Sequence, residues 1–486
     1  MKAIVIGAGI AGIASSIRLA KKGYEVKVLE KNSYPGGKLS EIRLGNYRFD
    51  AGPSLFTMPH FVEELFLLCD EQPEHYFNYS RVEAACHYFY PDRTRMIAWS
   101  DRKKLLDEFH QKTGVDKVVL QGFLEHSAKL YDLTHELFME SPLNKLETYL
   151  KKPTFKALQY LGSLDLLKSM NEANEKRLGN DKMVQYFNRF ATYNGSDPYQ
   201  TPGVLNVIPH LEHGIGTFFP KGGMISITNS LVALAKRQGV EFEFESSVDQ
   251  ILLEADRVKG VRADGEILEA DVVVSNSDIY PCYDQLLQKE IPKRIKKAER
   301  SSSAIIFYWG IKKRFSELGL HNIFFSGDYR KEFDVMFREH GMYEDPTIYI
   351  HISSKQEAND APDNSENWFV MVNAPANRSQ DWDKLLEVTR ERVLKRLSSE
   401  LRVTIEELIE EEDYLDPRRI ESKTSSYMGS LYGTSSNDKM SAFLRHPNYR
   451  SRFKGLYFCG GSVHPGGGIP LCLLSAKIAT DEVPEA

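Results

Sequence analysis

The sequence predicts an α/β protein in which a parallel-sheet domain, discontinuous along the chain, is joined to an α+β domain carrying a helical cap. Three observations predict it. Residues 3–6, 10–22 and 26–29 read as strand, helix and strand around a glycine turn, the pattern of a βαβ unit. Strand and helix patterns return at 222–275 and again at 455–479. The 486 residues exceed the roughly 250–300 at which a single hydrophobic core stops growing.

Taken in order, the helical pattern at 222–238 is followed by strand-like runs at 240–244, 248–253, 257–262 and 271–275. The last stretch reads as a strand at 455–459, a glycine turn, and a helix over 466–479. The pieces 1–70, 205–290 and 415–486 are therefore assigned to one nucleotide-binding domain. Residues 101–190 are mainly helical in pattern, with charges interleaved among Leu, Phe and Tyr. Strand patterns at 304–309, 347–352 and 368–372 precede a helix over 382–398. These assign 71–204 and 291–414 to a second domain with its own sheet, capped by the helices of 101–190.

Composition narrows the function classes. With 42% hydrophobic and 27% charged residues the chain has a globular rather than a disordered profile. A net charge of −6 lacks the basic footprint of a nucleic-acid binder. Cys69, Cys86, Cys282, Cys459 and Cys472 are odd in number and form no CxxC pair, so neither a disulfide framework nor a zinc site is indicated, and no metal is expected. The opening residues run straight into a strand pattern rather than a signal peptide. No apolar run reaches the ~18 residues of a spanning helix. The expectation is a cytoplasmic protein that does not cross a membrane but can lie on its inner face.

Gly7, Ala8, Gly9, Ile10, Ala11 and Gly12 form a GxGxxG between the first strand and the first helix. Gly7 allows the tight turn, Gly9 lets a pyrophosphate approach the backbone, and Gly12 lets helix and strand pack closely. The helix N-terminus adds free N–H groups and the positive end of its dipole. Glu30, closing the next strand, accepts hydrogen bonds from ribose hydroxyls and opposes the 2′-phosphate of NADP. FAD and NAD remain open on these residues alone.

The residues that follow separate them. Lys31 leads into Pro35, Gly36, Gly37 and Lys38, and then Asp50, Gly52, Pro53 and Ser54. This resembles the GG motif that follows the nucleotide unit in the amine oxidase and phytoene desaturase superfamily of flavoproteins. The run from Gly455 through Gly460, Gly461, Ser462, His464, Pro465, Gly466, Gly468, Ile469 and Pro470 resembles the carboxyl-terminal signature of the carotenoid desaturases. Phe218 to Met224 and Arg189 to Pro198 resemble two further family blocks. Together they resemble the hydroxycarotenoid 3,4-desaturase branch more than the phytoene desaturase branch.

The resemblance implies a Rossmann-type FAD-binding domain of the glutathione reductase/amine oxidase type. It implies noncovalent FAD, with Gly36, Gly37 and Lys38 at the diphosphate, Val248 at the adenine, Gly460 and Gly461 against the flavin, and Ile469 and Pro470 near its ring. It implies a C40 carotenoid as substrate, whose desaturation transfers a hydride to the flavin and releases a proton. Asp197 is a candidate for that proton, against an ordinary turn residue before proline. His464 is a candidate for proton exchange, against a role in shaping its loop. Alternatives left open are a phytoene-type or dehydrosqualene-type desaturase and an FAD-dependent carotenoid cis–trans isomerase. The electron acceptor, oxygen or a quinone, is not specified.

A bilayer-dissolved substrate requires a docking surface. Residues 145–182 hold eight Lys and Arg against five Asp and Glu, with Phe155, Leu158, Leu161, Leu164 and Leu167 at three-residue spacing. That mixture fits an interfacial helix, and it also fits a core-facing helix with a solvated basic edge.

Overall fold

Five parallel strands set the position of everything that follows. In the computed structural model, which describes residues 1–143, 145–149, 160, 162, 164–438 and 445–486, strand Lys2–Ile6 pairs with Glu25–Glu30 on one side and Val272–Ser275 on the other. Glu241–Phe244 and Leu456–Phe458 complete the two edges. The strands thus come from three separated stretches of chain. Strand Lys2–Ile6 is buried from Ala3 onward, as expected of parallel strands covered on both faces. Helix Ile10–Lys21 is small and apolar on its buried side (Ala11, Ala14, Ile17) and packs against helices Ile225–Arg237 and Ile469–Asp481.

Two helices begin later than their sequence patterns. Gly222 and Gly223 have φ of 86° and 82°, a left-handed backbone that cannot continue a helix, so the helix starts at Ile225. The buried Asp50 carboxylate accepts from the N–H groups of Met224 (3.0 Å) and Ile225 (3.3 Å), satisfying donors that every helix start leaves free. The last helix starts at Ile469, with Pro470 in its first turn, where a missing N–H costs nothing. The strands expected at 248–253 and 257–262 form a separate three-stranded antiparallel sheet with Glu266–Glu269.

A second, seven-stranded sheet is built from residues 84–99 and 303–415. Its centre is Ser303–Ile311, all nine residues buried, paired antiparallel with Glu366–Ala374. Trp309 and Trp368 are fully buried there. Helix Trp382–Leu401, N-capped by Asp381, packs behind it. Helices Arg102–Thr113, Lys117–Phe138, Met170–Leu178 and Asp181–Asn188 pack against Cys86, Tyr88, Met96, Ala98 and Ile323 of the sheet's other face. Each starts on a side-chain cap (Asp101, Asp116, Ser169, Asn180), the residue types that satisfy free N–H groups. Phe109, Phe123, Tyr186 and Phe187 join three of them, the Phe123 and Phe187 rings lying 4.0 Å apart.

Phe155, Leu158 and Leu161 of the suggested interfacial helix lie outside the described residues. Leu164 and Leu167 sit in turns rather than in a helix. Leu164 is buried against Leu130, Leu133 and Val204, whereas Leu167 is 84% exposed. Among the described residues, no helix is long and apolar enough to cross a membrane.

Candidate active site

The five turns at the carboxyl ends of the parallel strands converge on one cavity of about 790 Å³, the position where open α/β sheets bind ligands. Gly7 follows the first strand with φ of 91° and donates its N–H to Leu29 O at 2.8 Å. A Cβ on Gly12 would fall 2.0 Å from Gly7 O, and one on Gly9 would fall 2.6 Å from Asn276 Nδ2. Both glycines are there for lack of space. The GG turn docks on this loop, Gly36 N–H donating to Ala8 O at 2.8 Å. A Cβ on Gly52 would strike Lys38 O at 2.1 Å. Glu30, 5% exposed, accepts from Ala8 N–H at 2.7 Å and Asn32 N–H at 2.9 Å, which fixes its carboxylate on the cavity wall.

Gly7, Gly9, Ala11, Glu30, Lys31 and Val248 line the cavity. So do Gly36, Gly37, Lys38, Gly52, Pro53 and Ser54, and from the last loop Gly461, Gly468, Ile469 and Pro470. Ala8, Gly12 and Gly460 stand behind the wall: Gly460 donates its N–H to Ser475 Oγ at 3.1 Å, and its missing Cβ leaves room for Asn276 Oδ1. Lys38 Nζ donates to the carbonyls of Leu431 (2.8 Å) and Ser430 (3.3 Å), and burial lowers the pKa of its ammonium. Arg445 does the same for the carbonyls of Tyr432 and Gly461.

His464 and Asp197 are not among the lining residues. His464 Nε2 is bonded to Ser141 O at 2.9 Å, and its carbonyl accepts from Asn448 and Ser475. Burial pushes its imidazole down to about 4, so the ring is neutral at ordinary pH. The Asp197 carboxylate accepts from Tyr199 N–H (2.8 Å) and Gln200 Nε2 (2.6 Å), closing its own turn. Burial raises the pKa of this carboxyl against those two bonds.

Three groups on the wall contain residues that were not singled out from sequence. Asn276 stands between the first glycine turn and the last loop. Arg189, Tyr193 and Glu212 form a buried polar cluster in which Tyr193 donates to Glu212 at 2.5 Å and Arg189 donates to Tyr193 at 2.8 Å and to Glu212 at 3.3 Å. Burial opposes the Glu212 charge, but Arg189 and the hydrogen bond from Tyr193 outweigh it and hold the carboxyl below its usual range. His321, Tyr349 and Ser54 form a chain with two 2.7 Å links. Arg189 opens a block that the sequence marks. Glu212 and His321 sit in no motif and reach the site only through the fold.

The cradle fits a dinucleotide: two helix N-termini for an anion, a fixed carboxylate for ribose hydroxyls, and glycines where no side chain can stand. Beyond it the wall turns apolar, with Phe138, Val207, Ile323 and Met371. Fold and site define a dinucleotide-dependent oxidoreductase with a chamber for a hydrophobic substrate. The chain belongs to the flavin containing amine oxidoreductase family, whose profile matches residues 10–484, and within it to the carotenoid desaturases. It is 49% identical over 99% of both chains to a 1-hydroxycarotenoid 3,4-desaturase of Flavobacterium sp.. It is 32% identical, over 99% of this chain and 98% of the other, to a 4,4'-diapolycopene oxygenase of Methylomonas sp.. Putrescine oxidase bound to putrescine shares the fold at a TM-score of 0.64 and 13% identity, covering 99% of each chain. An oxidoreductase from Methanosarcina mazei does so at 0.64 and 15%, covering 99% of this chain and 100% of its own.

Proposed function

We propose that this flavoenzyme removes hydrogens from a C40 carotenoid to lengthen its conjugated polyene, acting at the 3,4 bond of a hydroxylated, linear-ended substrate. The observation that carries the reading is the full-length identity of 49% to a 1-hydroxycarotenoid 3,4-desaturase. A continuous cavity running from the glycine cradle to an apolar wall supports it. The cofactor is noncovalent FAD, which supplies the hydride acceptor when bound. Residues 1–70, 205–290 and 415–486 form its domain, and 71–204 with 291–414 form the substrate domain.

The protein's own contribution is placement and exclusion of water. Gly9, Gly36 and Gly37 leave room for the diphosphate, Glu30 takes ribose hydroxyls, and Gly461, Gly468, Ile469 and Pro470 close over the ring. His464 holds the last of these loops through Asn448 and Ser475, and Asp197 closes its own turn. The substrate proton leaves to water or to a carboxylate on the wall. A substrate dissolved in the bilayer brings the enzyme to the inner face of the cell membrane, through the basic and apolar residues of 145–182 and the exposed Leu167. The electrons leave to oxygen or a quinone.

The test is product analysis with acyclic, monocyclic and hydroxylated carotenoids in liposomes. The reading expects a product two hydrogens lighter and red-shifted. Preference for an acyclic hydrocarbon would overturn the branch alone, and unchanged mass across the panel would overturn the desaturase.

A further inference from the structure

The cavity wall is polar at one place beyond the glycine cradle. Ser54, His321 and Tyr349 meet Arg189, Tyr193 and Glu212 there, close enough that Arg189 and Glu212 act electrostatically on both His321 and Tyr349. Most of these groups satisfy one another. The exceptions are His321 Nε2 and Arg189 Nε, buried with no hydrogen-bond partner among the described residues. His321 is 2% exposed and its ring stacks on His351 at 5.1 Å, which holds the ring in place. An unpaired buried polar atom costs about 1–3 kcal/mol, and a hydrocarbon polyene offers nothing to pair with it.

We propose that His321, held by Tyr349 and Ser54, recognises the hydroxyl of the substrate's end group and thereby sets which carbon–carbon bond is oxidised. This deepens the function proposed above and rests on it for the identity of the substrate. The chemistry is complementary in either tautomer. Burial pushes the imidazole down to about 4, so at neutral pH it carries one proton. If Nδ1 accepts from the Tyr349 hydroxyl, Nε2 is a free donor; if Nδ1 donates to it, Nε2 is a free acceptor. An alcohol satisfies both, whereas a carboxylate or an ammonium ion satisfies only one. Position agrees as well. In a 1-hydroxylated carotenoid the 3,4 bond begins two carbons from the hydroxyl, so the hydroxyl site must adjoin the reacting site. The chain from His321 ends on Ser54, directly after Gly52 and Pro53 of the cradle.

His321 is a specificity residue, not an acid or base, so the readout is a preference. Binding to the holoenzyme is titrated anaerobically with a 1-hydroxylated acyclic carotenoid and with the acyclic hydrocarbon of the same length, and kcat/KM is measured for both. The wild type is expected to favour the hydroxylated compound by about ten- to a hundredfold. His321→Leu collapses the ratio of dissociation constants toward one, and His321→Gln, which keeps a donor and an acceptor, restores much of it. Tyr349→Phe, a smaller change should the leucine variant fold poorly, lowers the ratio by releasing the ring. A wild type with no preference, as when water alone pairs Nε2, overturns the proposal. So does a His321→Leu that weakens both ligands equally, or a Tyr349→Phe that leaves the preference intact. A preference that His321→Leu removes, in an enzyme that desaturates neither compound, keeps the subsite and defeats the desaturase reading.

Discussion

At the scale of residues, the glycine cradle makes demands that single substitutions can check. Gly9→Val places side-chain carbon where Asn276 Nδ2 already stands 2.6 Å away and in the path of the pyrophosphate. It is expected to abolish flavin retention, read as flavin per chain after gel filtration. Glu30→Ala removes the proposed acceptor of ribose hydrogen bonds and is expected to weaken retention by about tenfold. Full retention by the Gly9 variant would contradict this placement of the cofactor. Asp197→Asn substitutes an amide for a carboxylate that accepts two hydrogen bonds. It is expected to cost about 1–3 kcal/mol of stability and to leave turnover per bound flavin at the wild-type level; a stable variant with lost turnover would instead make Asp197 the proton acceptor. The glycines and Glu30 were legible in the sequence because their constraints are local: a turn, a close approach and a strand end within thirty residues. Arg189, Glu212 and His321 were not, because what makes them a site is a set of contacts between distant segments.

At the scale of elements, strands are legible where the chain runs continuously apolar, as at 304–309 and 368–372, which fall in the core pair of the second sheet. Helix starts were misplaced where glycines take left-handed backbone, at Gly222 and Gly223 and again at Gly466 and Gly468. The pattern of alternating polarity cannot register those angles. The three-residue spacing of leucines did not describe 164–167, since Leu164 faces the core and Leu167 faces outward. For the proposed docking surface, vesicle flotation with anionic lipid at low salt is expected to carry the protein upward. Raising the salt lowers the fraction bound by screening and leaves an apolar residue of binding. Protein that stays wholly at the bottom of the gradient at low salt would contradict membrane docking by 145–182.

At the scale of the whole molecule, the buried histidines tie stability to acid. Burial pushes His213, His321 and His464 down to about 4 and His446 to about 3, against ~6.5 in an unfolded chain. The unfolded state then binds more protons between these values. The stability is fully present above ~6.5 and is lost as pH falls toward 4, each fully buried ring giving up about 1–2 kcal/mol by pH 5. Thermal unfolding is expected at a distinctly lower temperature at pH 5 than at pH 7; an unchanged midpoint would contradict neutral, buried rings. The molecule also joins the glycine cradle to an apolar wall in one cavity, the arrangement that hydride transfer from a polyene to a flavin requires. The most direct test mixes the oxidised holoenzyme with a 1-hydroxylated, linear-ended carotenoid in liposomes without oxygen and records flavin and carotenoid spectra together. The flavin is expected to bleach as a red-shifted carotenoid appears, one flavin per new double bond. A flavin that stays oxidised while the carotenoid keeps its mass, or changes only its geometry, would contradict it.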